Sequence, residues 1–144
     1  LGFPATVEEV VSSPLYTIKK LKKLSKKEKI DLTDKVLSAV GMESYKKRLI
    51  GRLSAGQQQR IFIAKALISS PKLLILDEPT TGIDNETEED FYNLIYKLNK
   101  YEGITIVMVT HDYTDIKSMI NRVIHVNDGS ISEIISDVKD GDII

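Results

Sequence analysis

Two short, near-continuous apolar runs on either side of one amphipathic helix constrain this 144-residue chain more than any other feature. Leu73-Leu74-Ile75-Leu76 and Ile104-Thr105-Ile106-Val107-Met108-Val109 lack the strict polar alternation of a half-exposed strand, and β-branched residues dominate the second. Such runs are expected of strands buried on both faces in a parallel sheet. Between them Phe91, Leu94, Ile95 and Leu98 recur at i, i+3, i+4 and i+7, and Asn85-x-x-Glu88 reads as the capping box of their helix. Strand, helix, strand at this spacing predicts a right-handed parallel crossover and an α/β fold. Further on, a helix is expected near residues 113–120. Residues 122–126, the turn Asn127-Asp128-Gly129 and residues 130–135 predict a hairpin, because Asp-Gly suits a tight turn.

The first fifty residues read differently. Thr6-Val7-Glu8-Glu9 has an N-cap and an acidic first turn, and Pro14 stops or kinks the helix beyond it. Ser25-x-x-Glu28 is a capping box, after which Ile30, Val36, Leu37 and Val40 lead to Gly41, suited to the left-handed position past a helix end. Between these lie seven lysines in the eleven residues from Lys19 to Lys29. They read as a solvated face with Leu21 and Leu24 turned inward, in preference to a docking site for a phosphate-bearing partner. A small helical subdomain over residues 1–50, followed by an α/β core over 51–144, is the expected organisation.

Composition excludes several classes. With no cysteine, disulfides and thiolate metal sites are impossible. A net charge of −1 gives no general attraction to nucleic acid or anionic membrane. No apolar run approaches the roughly 18–20 residues of a membrane span, and the N-terminus shows no signal-peptide pattern. The chain begins at Leu1 and reads as a piece of something longer.

Three groups of residues carry chemistry. Ser54 opens a helix running to about residue 69, with Ile61, Ala64, Leu67 and Ile68 as its buried stripe. Ser54 with Gln57 is a capping box, and the same geometry, with Gly56, turns backbone N–H groups, the positive end of the helix dipole and a hydroxyl toward an anion. The first apolar run delivers Asp77 and Glu78 to the carboxyl end of a parallel sheet, where ligands of α/β folds bind. Adjacent carboxylates repel unless a cation or proton neutralises them. Mg²⁺ carried on a nucleotide suits, since it takes one or two carboxylates plus phosphate and water oxygens. Asp77 then holds the ion, and Glu78 orients and deprotonates a water. His111 ends the second apolar run and is expected beside the acidic pair; His125, in the hairpin, reads as structural. Asp84, in Thr81-Gly82-Ile83-Asp84, fits a helix cap.

In this order and spacing, Leu53-Ser54-Ala55-Gly56-Gln57-Gln58-Gln59-Arg60, Asp77-Glu78-Pro79-Thr80 and His111 resemble the ATPase subunit of ATP-binding cassette (ABC) transporters, along essentially the whole chain. The resemblance implies part of a P-loop NTPase-type (RecA-like) parallel sheet flanked by helices. It implies ATP and Mg²⁺ as cofactors, Ser54–Gln57 as the signature motif, Asp77 as the Walker B metal ligand and Glu78 as catalytic base. Asp84 becomes a D-loop residue at the dimer interface, and His111 the switch histidine touching the γ-phosphate. It also implies a head-to-tail dimer with a second ATPase subunit, in which each signature motif closes over ATP held by the other. Transmembrane permease subunits would dock on the helical segment, placing the protein peripherally on the cytoplasmic face of the cell membrane, with no nucleic acid partner.

Two departures stand out. Ala55 occupies a signature position where the family usually has glycine, a change that suits a helix's first turn. No G-x-x-x-x-G-K-[ST] phosphate loop occurs in the 144 residues. The resemblance places that loop upstream, so the chain alone is expected to be inactive as an ATPase, with an exposed sheet edge prone to association. Phe3-Pro4-Ala5-Thr6-Val7-Glu8-Glu9-Val10-Val11, with Thr80–Asp84 and Glu86-Thr87-Glu88-Glu89, resembles the zinc/manganese-importer branch. Two rivals are an ABC-type ATPase of DNA repair or translation, disfavoured by the absence of a heptad run, and a non-catalytic partner-binding piece.

Overall fold

Thr6 opens the first helix in the manner its sequence predicts. Its Oγ1 accepts from the Glu9 N–H at 3.3 Å, and the Glu9 carboxylate accepts from the Thr6 N–H at 2.7 Å. This box caps α1 (Val7–Ser12); Pro14, lacking a backbone N–H, begins the short α2 (Pro14–Thr17). The computed structural model describes residues 4–135, so Phe3 of the N-terminal motif and positions 136–144 of the expected core lie outside the described residues. A second box, Ser25 with Glu28, starts α3 (Lys26–Ala39), and Gly41 at φ +70° ends it, with the Met42 N–H returning to the Leu37 carbonyl at 2.9 Å.

The described part forms two compact units that divide between Val109 and Thr110. In the first, α1 packs on α3 and on α4 (Ala55–Leu67), burying Val7, Val11, Leu37, Ile61 and Ala64 completely. Residues 46–50 return antiparallel to the start of α1, with Val7 N–H to the Arg48 carbonyl at 2.9 Å and Ile50 N–H to the Ala5 carbonyl at 3.0 Å. That pairing fixes the approach to α4. On α3 the inner stripe is Thr33, Val36 and Leu37, while Ile30 is 41% exposed. Thr33 tolerates burial because its hydroxyl donates to the Lys29 carbonyl at 2.8 Å. The lysine run is solvated, with Leu21 and Leu24 half-buried; Lys29, half-buried, sits 4.7 Å from the centre of the Tyr16 ring.

β1 (Leu73–Asp77) and β2 (Thr105–Val109) pair in parallel, Leu73 opposite Thr105 through Asp77 opposite Val109, joined by α5 (Asn85–Glu102). This is the expected crossover, with one correction. The strands are covered on one face only. Leu74 is buried and Leu76, Ile106 and Met108 half-buried, whereas Leu73, Ile75, Val107 and Val109 are 48, 68, 46 and 53% exposed. α5 packs against β2 and α4, and its buried residues include Phe91, Leu94, Ile95 and Leu98. Among the described residues β1 and β2 pair only with each other, so each has one edge without a strand partner. An apolar run records what a strand is suited to meet, and here half of it meets solvent.

The second unit holds a 3-10 segment over Thr114–Met119, in place of the expected helix, and the hairpin of β3 (Arg122–Asn127) and β4 (Ser130–Ile135). Asp128 and Gly129, at φ +46° and +76°, make a turn with both central residues left-handed, the geometry that matches strand twist. Among the described residues no helix is long and apolar enough to cross a membrane.

Candidate functional site

The turn into α4 is closed by its own side chains. Ser54 is extended (φ −63°, ψ 163°); its Oγ accepts from the Gln57 N–H at 3.3 Å, and Gln57 Oε1 accepts from the Ser54 N–H at 3.1 Å. Gln57 is held further by Nε2 donating to the Tyr45 hydroxyl at 3.2 Å, and Gln58 Nε2 donates to the Leu53 carbonyl at 3.0 Å. Ser54 and Ala55 are exposed, and the Ala55 and Gly56 N–H groups begin a helix, where no intrahelical acceptor exists for them. The turn therefore offers N–H donors and the positive dipole end to an anion. Gly56 itself is buried. A Cβ on it would lie 2.3 Å from Thr87 Cγ2 and 3.5 Å from Ile83 Cγ2. Arg60, the last residue of the motif, looks away from this opening: Nη1 donates to the Val40 carbonyl at 3.3 Å at the end of α3, and Nη2 lies 3.5 Å from Asp90.

At the other group, Asp77 closes β1 and shares the open face with Ile75, Val107 and Val109. Glu78 leaves the strand at φ +39°, left-handed for a non-glycine residue, with its N–H bonded to the Val109 carbonyl at 2.9 Å. Thr81 Oγ1 donates to Glu78 Oε2 at 3.2 Å. Pro79 is buried, and Thr80 Oγ1 lies 3.1 Å from the Tyr92 hydroxyl, which donates to Glu88 Oε1 at 2.8 Å. Both carboxylates are thus exposed at the carboxyl end of a parallel pair, on a loop pinned by α5. Neither Thr81 nor Tyr92 carries a sequence signal for this; their partners are set by the path of the loop.

Asp84, not Asn85, caps α5: its Oδ1 accepts from the Thr87 N–H at 3.0 Å. The expected Asn85–Glu88 box does not form, because Glu88 bonds Tyr92 and a carboxylate one position earlier already takes the cap. The Thr87 N–H, then the Thr87 hydroxyl, hold the Asp84 carboxyl below the usual aspartate range.

His111 is exposed and lies one residue into the second unit, after Thr110. Its neighbour Asp112 accepts from the Thr114 N–H at 2.9 Å and the Thr114 hydroxyl at 2.7 Å, which lower its pKa, with a smaller contribution from the His111 charge. His125 stands edge-on to Tyr113, ring centres 6.0 Å apart. The structure brings together Gly56, Thr87 and Asp84, and places Asp77 beside Glu78 with Thr81; His111 is described within its own unit.

Among the described residues no three His, Cys, Asp or Glu side chains converge as a closed metal cage. The donors present, two exposed carboxylates at a strand end, fit an ion that brings most of its oxygens with it, as Mg²⁺ on a phosphate does. The start of α4 fits an anionic group. A cleft of about 380 Å³ lined by Pro14, Ile18, Phe62, Lys65, Ala66 and Ser69 lies elsewhere and contains none of these residues.

The chain is similar to known proteins in sequence and in fold. The sequence model of a family described as "ABC transporter" matches residues 4–81, more than half of the chain. The zinc uptake system ATP-binding protein ZurA of Listeria monocytogenes serovar 1/2a is 50% identical over 138 residues, covering 92% of this chain and 53% of its own length. The high-affinity zinc uptake system ATP-binding protein ZnuC of Bacillus subtilis is 41% identical over 129 residues, covering 89% and 55%. The chain spans about half the length of the curated relatives it matches. Among solved structures, the dimeric bacterial ABC transporter cassette MJ0796 superposes with a TM-score of 0.77 at 31% identity, over 94% of this chain and 57% of that one.

Proposed function

This chain belongs to the ABC transporter family, and from that premise we propose that it is the signature-bearing part of an ATP-hydrolysing subunit that powers import of a divalent metal such as zinc or manganese. The observation that carries the proposal is the delivery of Asp77 and Glu78, in register with Val109, to the carboxyl end of a parallel strand pair. Similarity to two zinc uptake ATP-binding proteins supports the transported ion.

In this reading Asp77 holds Mg²⁺, which when bound with ATP neutralises charge on the phosphates. The Glu78 carboxylate, steadied by the Thr81 hydroxyl, orients the attacking water and takes its proton. Ser54, Ala55, Gly56 and Gln57 present the α4 N-terminus to phosphate held by a second subunit, and the dimeric cassette among its structural relatives supports that arrangement. Asp84 lies at the interface between the two subunits, and His111, two residues past the end of β2, contacts the terminal phosphate. Residues 1–50 form the helical surface that receives the transmembrane permease, and 51–144 belong to the ATPase core. Membrane contact is then only through the permease, at the cytoplasmic face. These 144 residues contain no phosphate loop and by themselves are proposed to be inactive.

The test is ATP turnover by the whole protein with and without Glu78→Gln. The substitution should lower kcat by about 10²–10⁴-fold while ATP binding persists and the dimer accumulates in the ATP-bound state. Hydrolysis at the wild-type rate would remove Glu78 as the base. A wild-type protein without ATPase activity would defeat the reading altogether.

A further inference from the structure

Gly56 and Asp84 stand twenty-eight positions apart in the sequence, and one residue, Thr87, meets both, Asp84 with its backbone and Gly56 with its side chain. The Thr87 N–H donates to Asp84 Oδ1 at 3.0 Å. Its methyl, Cγ2, sits where a Cβ on Gly56 would come within 2.3 Å, far inside any real contact distance. Threonine is β-branched and stiff about χ1, so the methyl does not swing freely out of this space. Ile83 Cγ2, at 3.5 Å from the same point, closes a second side of the space. Gly56 is therefore bounded by the loop that carries Asp84, within one subunit, with no ligand involved.

We propose that Thr87 is a positioning residue: it fixes the spacing between the Ser54–Gln57 turn and the Asp84 loop, and Gly56 is glycine because the Thr87 methyl occupies the place of a side chain. This rests on the proposed ATPase reading and adds a residue to it. Both segments would face the second subunit, so a spacer between them sets whether they meet it together. An additional methyl at Gly56 must push the α4 turn or the Asp84 loop aside, and misplacement of either costs turnover.

The experiment is a double-variant cycle in the whole protein: Gly56→Ala, Thr87→Ser, and both. Alanine is the better helix former, so a loss of stability in Gly56→Ala does not come from helix propensity. Gly56→Ala should lower kcat by about tenfold and reduce the melting temperature by several degrees. Thr87→Ser removes the methyl and keeps the hydroxyl, and alone should cost about twofold in kcat. Combined, Thr87→Ser should rescue Gly56→Ala, bringing kcat and melting temperature back to those of Thr87→Ser alone. A double variant as impaired as Gly56→Ala, measured against an active wild type, overturns the spacer role and assigns the glycine to ligand contact. Absence of ATPase in the wild type overturns the functional reading and this role with it.

Discussion

The start of α4 and the end of β1 are built by opposite means. At Ser54 the backbone sits in an ordinary extended conformation, and the turn is closed by residues three positions apart, Ser54 and Gln57, each satisfying the other's N–H. At Glu78 the backbone is left-handed at φ +39°, a position that costs a non-glycine residue on the order of 1–3 kcal/mol. The Thr81 hydroxyl nearby steadies the side chain at 3.2 Å, and the turn also depends on contacts from further along the chain. It is held by the Glu78 N–H on the Val109 carbonyl, by buried Pro79, and by the Thr80–Tyr92–Glu88 chain of hydroxyl and carboxylate contacts. A relaxed turn can be written in neighbouring residues, whereas a strained one needs the surrounding fold to over-determine it.

Substitutions at the two places should separate these designs. At the relaxed turn a large effect is expected from Ser54→Arg in the whole protein, which puts a long cation there. ATP turnover should fall by about a hundredfold or more while the subunit's own ATP binding remains. Turnover near the wild-type rate would sink the proposed role of this turn across the dimer. Ser54→Ala removes only the cap and should cost about 1 kcal/mol in a denaturant titration. Glu78→Gly should show the opposite sign, abolishing turnover yet raising stability by up to about 1 kcal/mol as the left-handed strain is relieved. A destabilised Glu78→Gly would mean the strain is already relieved by its contacts, and the contrast between the sites would dissolve.

The smallest effect is a pH dependence at Asp84. Its carboxyl is held below the ordinary aspartate value of 3.8 by the Thr87 N–H first and the Thr87 hydroxyl second. A depressed carboxylate adds stability above its unfolded pKa and loses it as pH falls through the folded value. Wild-type protein should therefore lose this contribution on acidification below the ordinary aspartate range, and Asp84→Asn should flatten that part of the stability–pH curve. An unchanged curve would show that the cap contributes nothing measurable.

Much of the fold is legible in the chain because its signals are local. Thr6 takes the N-cap that its sequence predicts, and Ser25 with Glu28 and Ser54 with Gln57 each form the reciprocal box that their spacing predicts. The β1–α5–β2 crossover follows from two apolar runs and one amphipathic period. The α5 cap is the instructive exception, since two acceptors, Asp84 and Asn85, compete for one helix start and Tyr92 draws Glu88 away from the box. The candidate site divides along the same line: the motif residues are recognisable one by one, while Thr81, Thr87 and Tyr92 carry no signal until the loop after Glu78 has a path.

The sequence by itself determined where most helices and strands begin and the caps at Thr6, Ser25 and Ser54, because each is decided by neighbours within one or two turns. Only the tertiary structure decided that one face of β1 and β2 is open, that Glu78 is strained, that Arg60 serves the end of α3, and that the Thr87 methyl fills the space beside Gly56. Those outcomes depend on which surfaces meet across many residues, and the pattern along a chain states what a surface is suited to touch without stating what reaches it.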